Sequence, residues 1–304
     1  MNRRHDAPPK LWVDLHLHST FSDGHLPVHL LADTVARAGV KLAALSDHDT
    51  LEGVPLFRRA CRRLGVATLS AVEISTLHRG PWGEKEVHLL AYGLDEEDPI
   101  FRPLLAEIRA ARERRFRGMA TLLAEQGCPL PEAELEKRLA HGNAGRPHLA
   151  WLMIKAGYVT NLNTAFELWL GDGAPAWLPK EAPATVEVIQ RVREQDGLSV
   201  IAHPGKTLPP EALPSLLEAG VDGLECLHPS HSRATARRLA QLAASHGRFQ
   251  TAGSDYHGRP DRREPYLRPE MTLESLGGPL GERARAAHAA PAMTHGARST
   301  TGAP

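Results

Sequence analysis

Cysteine is scarce and scattered, with Cys61, Cys128 and Cys226 the only three in 304 residues. An odd number at such wide spacing excludes a disulfide framework and a CxxC zinc knuckle, and it fits a reducing cytoplasm. Net charge is lacking too, since Lys plus Arg and Asp plus Glu number 36 each. That balance excludes a surface built as a whole to coat nucleic acid or membrane, so any anionic ligand must be held locally. No apolar run reaches the roughly 18 to 20 residues that cross a bilayer, and the polar start with its two prolines is expected to be neither signal peptide nor anchor. No Ser-His-Asp or Cys-His constellation stands out as a nucleophile. With 42% hydrophobic and 24% charged residues, the chain can bury a substantial core in one large domain or two smaller ones.

Histidine is present in excess, at 17 residues, and imidazole is the commonest metal-binding side chain. Short apolar or β-branched runs alternate with helical patterns, the grammar of a β/α barrel with a largely parallel sheet. Strands are predicted at Leu11–Leu15, Val40–Leu45, Val66–Val72, Val87–Tyr92, Leu198–Ala202, Val221–Cys226 and Phe249–Ala252. Helices are predicted at Val28–Ala38, Gly53–Leu64, Val186–Gln195, Glu211–Ala219 and Ser232–His246, with Gly39, Gly65, Gly220 and Gly247 in stopping positions. Residues 1–98 and 186–272 form the two parts of the barrel. Between them, 99–185 read as an inserted helical subdomain, beginning with Leu105, Ile108, Arg112, Phe116, Met119 and Leu123 at helical spacing. The stretch 273–304, rich in Ala, Arg, Gly, Pro and Thr, is expected to be disordered.

The chemistry-bearing residues gather at the strand ends. Asp14-Leu-His16-Leu-His18-Ser-Thr-Phe-Ser-Asp23-Gly closes the first strand, and an extended backbone points both imidazoles of the His-x-His pair to one face. Ser46-Asp47-His48-Asp49 follows the second strand, Glu73 the third, and His88 sits in the fourth. His203-Pro-Gly closes the fifth, and Ser254-Asp255-Tyr-His257 closes the last. Taken singly, a histidine such as His88 is more often a hydrogen-bonded core residue, and an Asp after a strand is more often a helix cap. Structural histidines, however, should scatter without regard to strand termini, whereas these share the rim where β/α barrels build their active sites.

These motifs resemble those of the PHP (polymerase and histidinol phosphatase) superfamily over residues 11 to 260. Gly145-Arg146-Pro147-His148 and Glu225-Cys-Leu-His228-Pro-Ser-His231 resemble the branch of 3′,5′-nucleoside bisphosphate phosphatases and a related 5′→3′ exoribonuclease. The resemblance implies a distorted seven-stranded β/α barrel with two or three divalent ions. It places His16, His18, Glu73 and Asp255 on the first ion and Asp23, His48 and His257 on the second. Glu73 would bridge to a third ion held by His88 and His203. Nitrogen and oxygen ligands suit Mn²⁺, Zn²⁺ or Fe²⁺ without choosing among them, and Mn²⁺ is the working expectation. Such a cluster can place a phosphoryl oxygen between ions and lower the pKa of a bridging water. Asp47 and Asp49 are expected to orient ligand imidazoles or to cap the next helix.

Arg146 precedes Pro147, a favoured first helical residue, so its guanidinium stands where helix N–H groups already attract anions. From spacing alone it is as readily a surface arginine; the resemblance makes it a phosphate-recognition residue. His148, His228 and His231 are candidate phosphate or supporting groups. The arginines at 109, 112, 114, 115 and 117 read as a solvated helix face. Trp177 has two open readings, stacking on a base or packing the insertion onto the barrel.

The activity implied is removal of the 3′-phosphate from a small nucleotide, with short 5′-phosphorylated RNA as a second substrate. Histidinol phosphate or 5′-nucleotide hydrolysis is the enzymatic alternative. A non-catalytic polymerase-associated or regulatory module is the alternative of another class. No membrane or protein partner is implied.

Overall fold

The computed structural model describes residues 10–258, apart from 141 and 143, together with residues 271–290. Strand β1 (Trp12–Leu17), helix α1 (Val28–Arg37), β2 (Val40–Leu45), α2 (Val54–Arg63), β3 (Ala67–Gly80) and β4 (Gly83–Tyr92) come first. Helices α3 (Phe101–Glu125), α4 (Glu132–Leu139), α5 (Arg146–Lys155) and α6 (Leu162–Ala165), a π-helical turn over Phe166–Leu170 and α7 (Thr185–Glu194) follow. Then come β5 (Leu198–Ile201), α8 (Pro204–Thr207), α9 (Ala212–Glu218), β6 (Gly223–Leu227), α10 (Arg233–Ser245), β7 (Phe249–Ala252), β8 (Met271–Thr272) and α11 (Gly278–Ala289). Local pattern accounts for most of these: α1 buries Val28, Leu31, Ala32 and Val35, one stripe at helical spacing. Gly39 and Gly65 follow α1 and α2 with φ of 78° and 69°, the left-handed conformation that ends a helix.

The strands form one mixed, nearly closed barrel-like sheet in the order β7-β6-β5-β4-β3-β2-β1-β8. Closure comes where the chain after β7 returns to β1. Leu17 bridges Tyr256, the His18 N–H donates to the Tyr256 carbonyl at 3.0 Å, and the Asp255 N–H donates to the His16 carbonyl at 2.9 Å. Eight strands replace the seven expected, because Met271–Thr272 pairs antiparallel with β1, too short a run to show in the sequence. The other departure is β4, which runs antiparallel to both β3 and β5. It is the return arm of a long hairpin, not a fourth βα unit.

Period-two alternation then sorts the barrel interior into floor and rim. On one face of β3 lie Leu69, Ala71 and Glu73, and on the matching face of β4 lie Tyr92, Leu90 and His88. The apolar members join Leu42, Ala44, Leu198, Val200 and Ala252 in one buried cluster, leaving the polar members at the open end. Because β4 runs backwards, its Leu89 pairs with Ile201 at the end of β5, so His88, midway along β4, stands at the rim that parallel strands reach at their C-terminal ends. The outer faces bury Val72, Ile74, Leu89, Ile201, Leu224 and Cys226 against helices such as α7, α9 and α10.

The stretch expected to lack order divides in two. Gly278–Ala289 is the helix α11, whose Leu280 and Ala284 are buried in the floor cluster, and Arg283 donates to the Asp196 carbonyl just ahead of β5. Apolar residues spaced four apart among small ones suffice to close the barrel at that end. Residues 291–304 lie outside the described residues. Between β4 and β5 the helices α3 to α6 have a core of their own, including Phe116, Met119, Leu123, Leu149, Met153 and Leu170. The three cysteines are buried as free thiols, and no helix among the described residues is long and apolar enough to cross a membrane.

Candidate metal centre

The open rim gathers side chains from the ends of β1, β2, β5 and β7 and from within β3 and β4. Three sets of ligand atoms lie within 4.8 Å of one another: His16, His18, Glu73 and Asp255; His18, Asp23, His48 and His257; and His48, Glu73 and His88. Nε2 of His16 and Nε2 of His18 are 3.1 Å apart, the convergence that the His-x-His spacing predicts. Glu73 is central. Its Oε2 lies 3.3 Å from His16 Nε2, 3.2 Å from His18 Nε2 and 3.1 Å from His48 Nδ1. Its Oε1 lies 2.8 Å from His88 Nδ1 and 3.0 Å from His203 Nε2. All nine expected ligands therefore meet in one pocket. His203 joins through Glu73, and His48 stands in the third set where the resemblance put His203.

Backbone strain accompanies the site. Asp49, His203 and Asp255 have φ of 55°, 30° and 52°, a conformation rare outside glycine that persists only where surrounding contacts enforce it. Gly253 lets β1 pass, since a Cβ there would stand 2.2 Å from the Cβ of His16.

Buried, unpaired lone pairs show what the pocket fits. His48 Nδ1 and Glu73 Oε2, 3.1 Å apart, and His203 Nδ1 are shut off from solvent and make no hydrogen bond of proper geometry. Such atoms are costly unless something else satisfies them. Burial opposes charge on His18 and His88, yet Asp255 and Glu73 raise the first to about 10, while Glu73 and Glu86 raise the second to about 9. Burial, with positive His18 and His88 nearby, pushes His48 down to about 3. Burial also opposes charge on Glu73, Asp23 and Asp255, but the surrounding imidazoles hold all three well below the usual carboxylate range. A pocket this anionic must be neutralised, by protons on its histidines or by cations, and its nitrogen and oxygen donors suit divalent cations.

The supporting residues differ from the expectation. Asp47 accepts from the Ser19 N–H at 2.7 Å and from the hydroxyls of Ser19 and Ser22, fixing the loop that carries Asp23. Asp49 accepts from the Ser75 N–H at 2.7 Å and from Arg112. Carboxylates on the ligand imidazoles come instead from Glu86, on His88, and from Glu225, fully buried, with Oε1 at 2.9 Å from His16 Nδ1 and Oε2 accepting the His203 N–H at 2.7 Å. The signal of Glu225 was available, for it stands near the end of its strand as the ligands do.

Of the expected substrate residues, His228 is buried beside the cluster, Nε2 3.4 Å from Asp255 Oδ2. His231 has both ring nitrogens on backbone groups, the Gly205 N–H and the Cys226 carbonyl. His148 Nδ1 accepts the Gly145 N–H at the start of α5. Arg146 meets Asp172 at 2.7 Å and lies over the Phe166 ring beside the π-helical turn. Trp177 is half-buried. The arginine run splits: Arg114 and Arg117 pair with surface glutamates, as a solvated face should. Arg109 and Arg112 reach the barrel at Glu52, Asp49 and Ser75, and with His48, Thr20 and Phe21 they line a cavity of about 590 Å³.

Residues 14–127 match the model of the PHP domain. A curated Eggerthella lenta protein named phosphoribosyl 1,2-cyclic phosphate 1,2-diphosphodiesterase is 31% identical over 253 residues, 81% of this chain and 94% of its own. The chain belongs to the PHP family. A Chromobacterium violaceum relative named 3′,5′-nucleoside bisphosphate phosphatase is 30% identical over 81% of this PHP protein and 87% of its own length. A Haemophilus influenzae relative named 5′-3′ exoribonuclease is 30% identical over 80% and 89%. Among solved structures, a Bifidobacterium adolescentis protein described as a candidate metal-dependent phosphoesterase superposes with a TM-score of 0.71 at 29% identity, covering 91% of this chain and 96% of that one. Family and cluster together make this PHP protein a phosphoesterase, a hydrolase whose histidines and carboxylates fit divalent metals.

Proposed function

We propose that the protein removes the 3′-phosphate from nucleoside 3′,5′-bisphosphates such as adenosine 3′,5′-bisphosphate, leaving the 5′-monophosphate, and that the same site shortens 5′-phosphorylated RNA. The observation that carries this reading is Arg146 at the start of α5, whose carboxylate partner is an exposed one, which supports a second anion-recognition point beside the ligand cluster. Burial lowers the pKa of Arg115, and Arg146, Glu86, Asp172 and Arg112 act on it next. Arg146 and Glu86, the partner of His88, thus both interact electrostatically with Arg115. The carboxylate on Arg146 belongs to Asp172, whose side chain is 81% exposed. Exposed pairs of this kind are worth little, so a phosphate dianion with bidentate geometry can replace Asp172.

One phosphate on Arg146 and another over the cluster is the arrangement that a bisphosphate, or a 5′-phosphorylated strand, satisfies. Divalent cations held by the nine ligands would polarise the phosphoryl group and acidify a water. The protein's own part is to aim the donors: Glu225 fixes His16, Asp47 fixes the Asp23 loop, and Arg146 sets which ester lies over the cluster. The Chromobacterium and Haemophilus relatives carry names for these two activities. The test is a substrate panel with Mn²⁺ and with chelator: adenosine 3′,5′-bisphosphate, 5′-phosphorylated oligoribonucleotides, histidinol phosphate, 5′-nucleotides and a cyclic ribosyl phosphodiester. Mn²⁺-dependent release of the 3′-phosphate is expected. Turnover of any of the last three with none of the first two refutes the proposal.

A further inference from the structure

The three ligand sets are not supported alike. His16 is held by Glu225 on β6, His18 Nδ1 lies 3.4 Å from the Ser22 hydroxyl, and His257 Nδ1 lies 2.7 Å from the Asp255 carbonyl. Those supports belong to the barrel. Around His48, Glu73 and His88 the side chains come from elsewhere. Arg112, on α3, donates to Asp49, which directly follows His48, and at 2.7 Å to the Ser75 hydroxyl. Ser75 is the cross-strand partner of His88 and stands two residues after Glu73 on the same face. Lys180, in the segment between the π-helical turn and α7, donates to Glu86, whose Oε1 lies 2.9 Å from His88 Nε2.

Resting on the metal reading of the cluster, we propose that Arg112 and Lys180 are positioning residues for one cation position, that of His48, Glu73 and His88. The inserted segment thereby supports this position, and it reaches the position of His18, Asp23, His48 and His257 only through the shared His48. The chemistry runs through tautomers and strain. Glu86 stands between Lys180, which donates to it, and His88 Nε2 at 2.9 Å. Carboxylates face both ring nitrogens of His88, and a cation shared with Glu73 would take Nδ1, so neutral His88 would carry its proton on Nε2, where Glu86 accepts it. Lys180 holds Glu86 in that pose. Asp49 has a φ of 55°, and its two oxygens are anchored separately, one by the Ser75 N–H and one by Arg112. The backbone conformation that presents His48 therefore depends on an arginine outside the barrel. Both cations are matched by carboxylates, so neither leaves an unpaired positive charge beside a bound ion.

The experiment counts Mn²⁺ per full-length chain by mass spectrometry after desalting and resolves the binding steps by calorimetry. Three ions are expected in the unaltered protein. Lys180→Met should weaken one step by about 10–100-fold, the usual effect of losing a partner of a ligand, with the other two unchanged, whereas Arg112→Met, acting through the shared His48, should weaken two steps and leave that of His16, His18, Glu73 and Asp255 unchanged. Lys180→Arg should restore the lost step. Glu86→Gln tests the same point on a part-exposed, isosteric position that does not endanger folding: an amide can donate as well as accept, so it no longer fixes the His88 proton. Arg114→Met, on the solvated face, should change nothing. Three unchanged steps in Glu86→Gln and Lys180→Met, equal weakening of all steps, or two ions in every variant would each overturn the proposal. An unaltered chain that binds no divalent cation would instead remove the metal centre itself.

Discussion

Glu225→Gln isolates which ring nitrogen of His16 is free. Glu225 Oε1 lies 2.9 Å from His16 Nδ1, and Oε2 accepts the His203 N–H at 2.7 Å. The carboxylate keeps the proton of a neutral His16 on Nδ1 and leaves Nε2 bare toward His18, Glu73 and Asp255. A backbone N–H can only donate, so a glutamine must turn its carbonyl oxygen to His203, and its NH₂ then faces His16. That donor pairs with an unprotonated Nδ1 and sends the proton to Nε2, where it blocks the nitrogen a cation needs. Partners of metal-binding histidines are worth about 10–100-fold in metal affinity, which is about 1.4–2.7 kcal/mol. Losing one charge-assisted hydrogen bond should also cost the metal-free fold about 1.5–3 kcal/mol. Calorimetric titration with Mn²⁺ measures the first effect and urea denaturation in chelator the second. A folded Glu225→Gln protein that binds metal as tightly as the unaltered one refutes the tautomer argument.

Gly253→Ala places a methyl where 2.2 Å separates it from the His16 Cβ; β1 and the chain after β7 must part, with a loss of about 1–3 kcal/mol, and an unchanged urea midpoint would contradict so close an approach. Arg146→Met should cost little stability, since the Asp172 side of its ion pair is exposed and the Met side chain can still cover the Phe166 ring. It should lower kcat/KM for the bisphosphate by about 1.5–3 kcal/mol and spare an aryl monophosphate; equal losses on both substrates would deny Arg146 a role in holding the second phosphate. Leu280→Ala, in the floor cluster, should cost about 2–5 kcal/mol by thermal or chemical denaturation, whereas a neutral result would mean that α11 does not close the barrel.

What could be read from the residues was whatever repeats locally. Alternation placed Val40–Leu45 and Phe249–Ala252 where the structure has them, and the ligands stood out because they recur at strand ends. Pairing direction does not repeat locally. Val87–Tyr92 looks the same run either way, so the sequence marks a strand there and is silent on its antiparallel course. That course explains an expected ligand that broke the pattern: His88 lies midway along β4 and still meets Glu73 at 2.8 Å. The same limit governs the charged residues. Helical spacing groups Arg112 with Arg114 and Arg117, and only the docking of α3 on the barrel decides that Arg112 meets Asp49 while its neighbours meet solvent. Asp47 and Asp49 flank a ligand in sequence yet serve backbone N–H groups, whereas Glu225, 209 residues from His16, serves the imidazole. A side chain that coordinates can be inferred from its own strand. A side chain that orients a coordinator depends on which strands become neighbours, so it emerges only when the chain after β7 returns to β1.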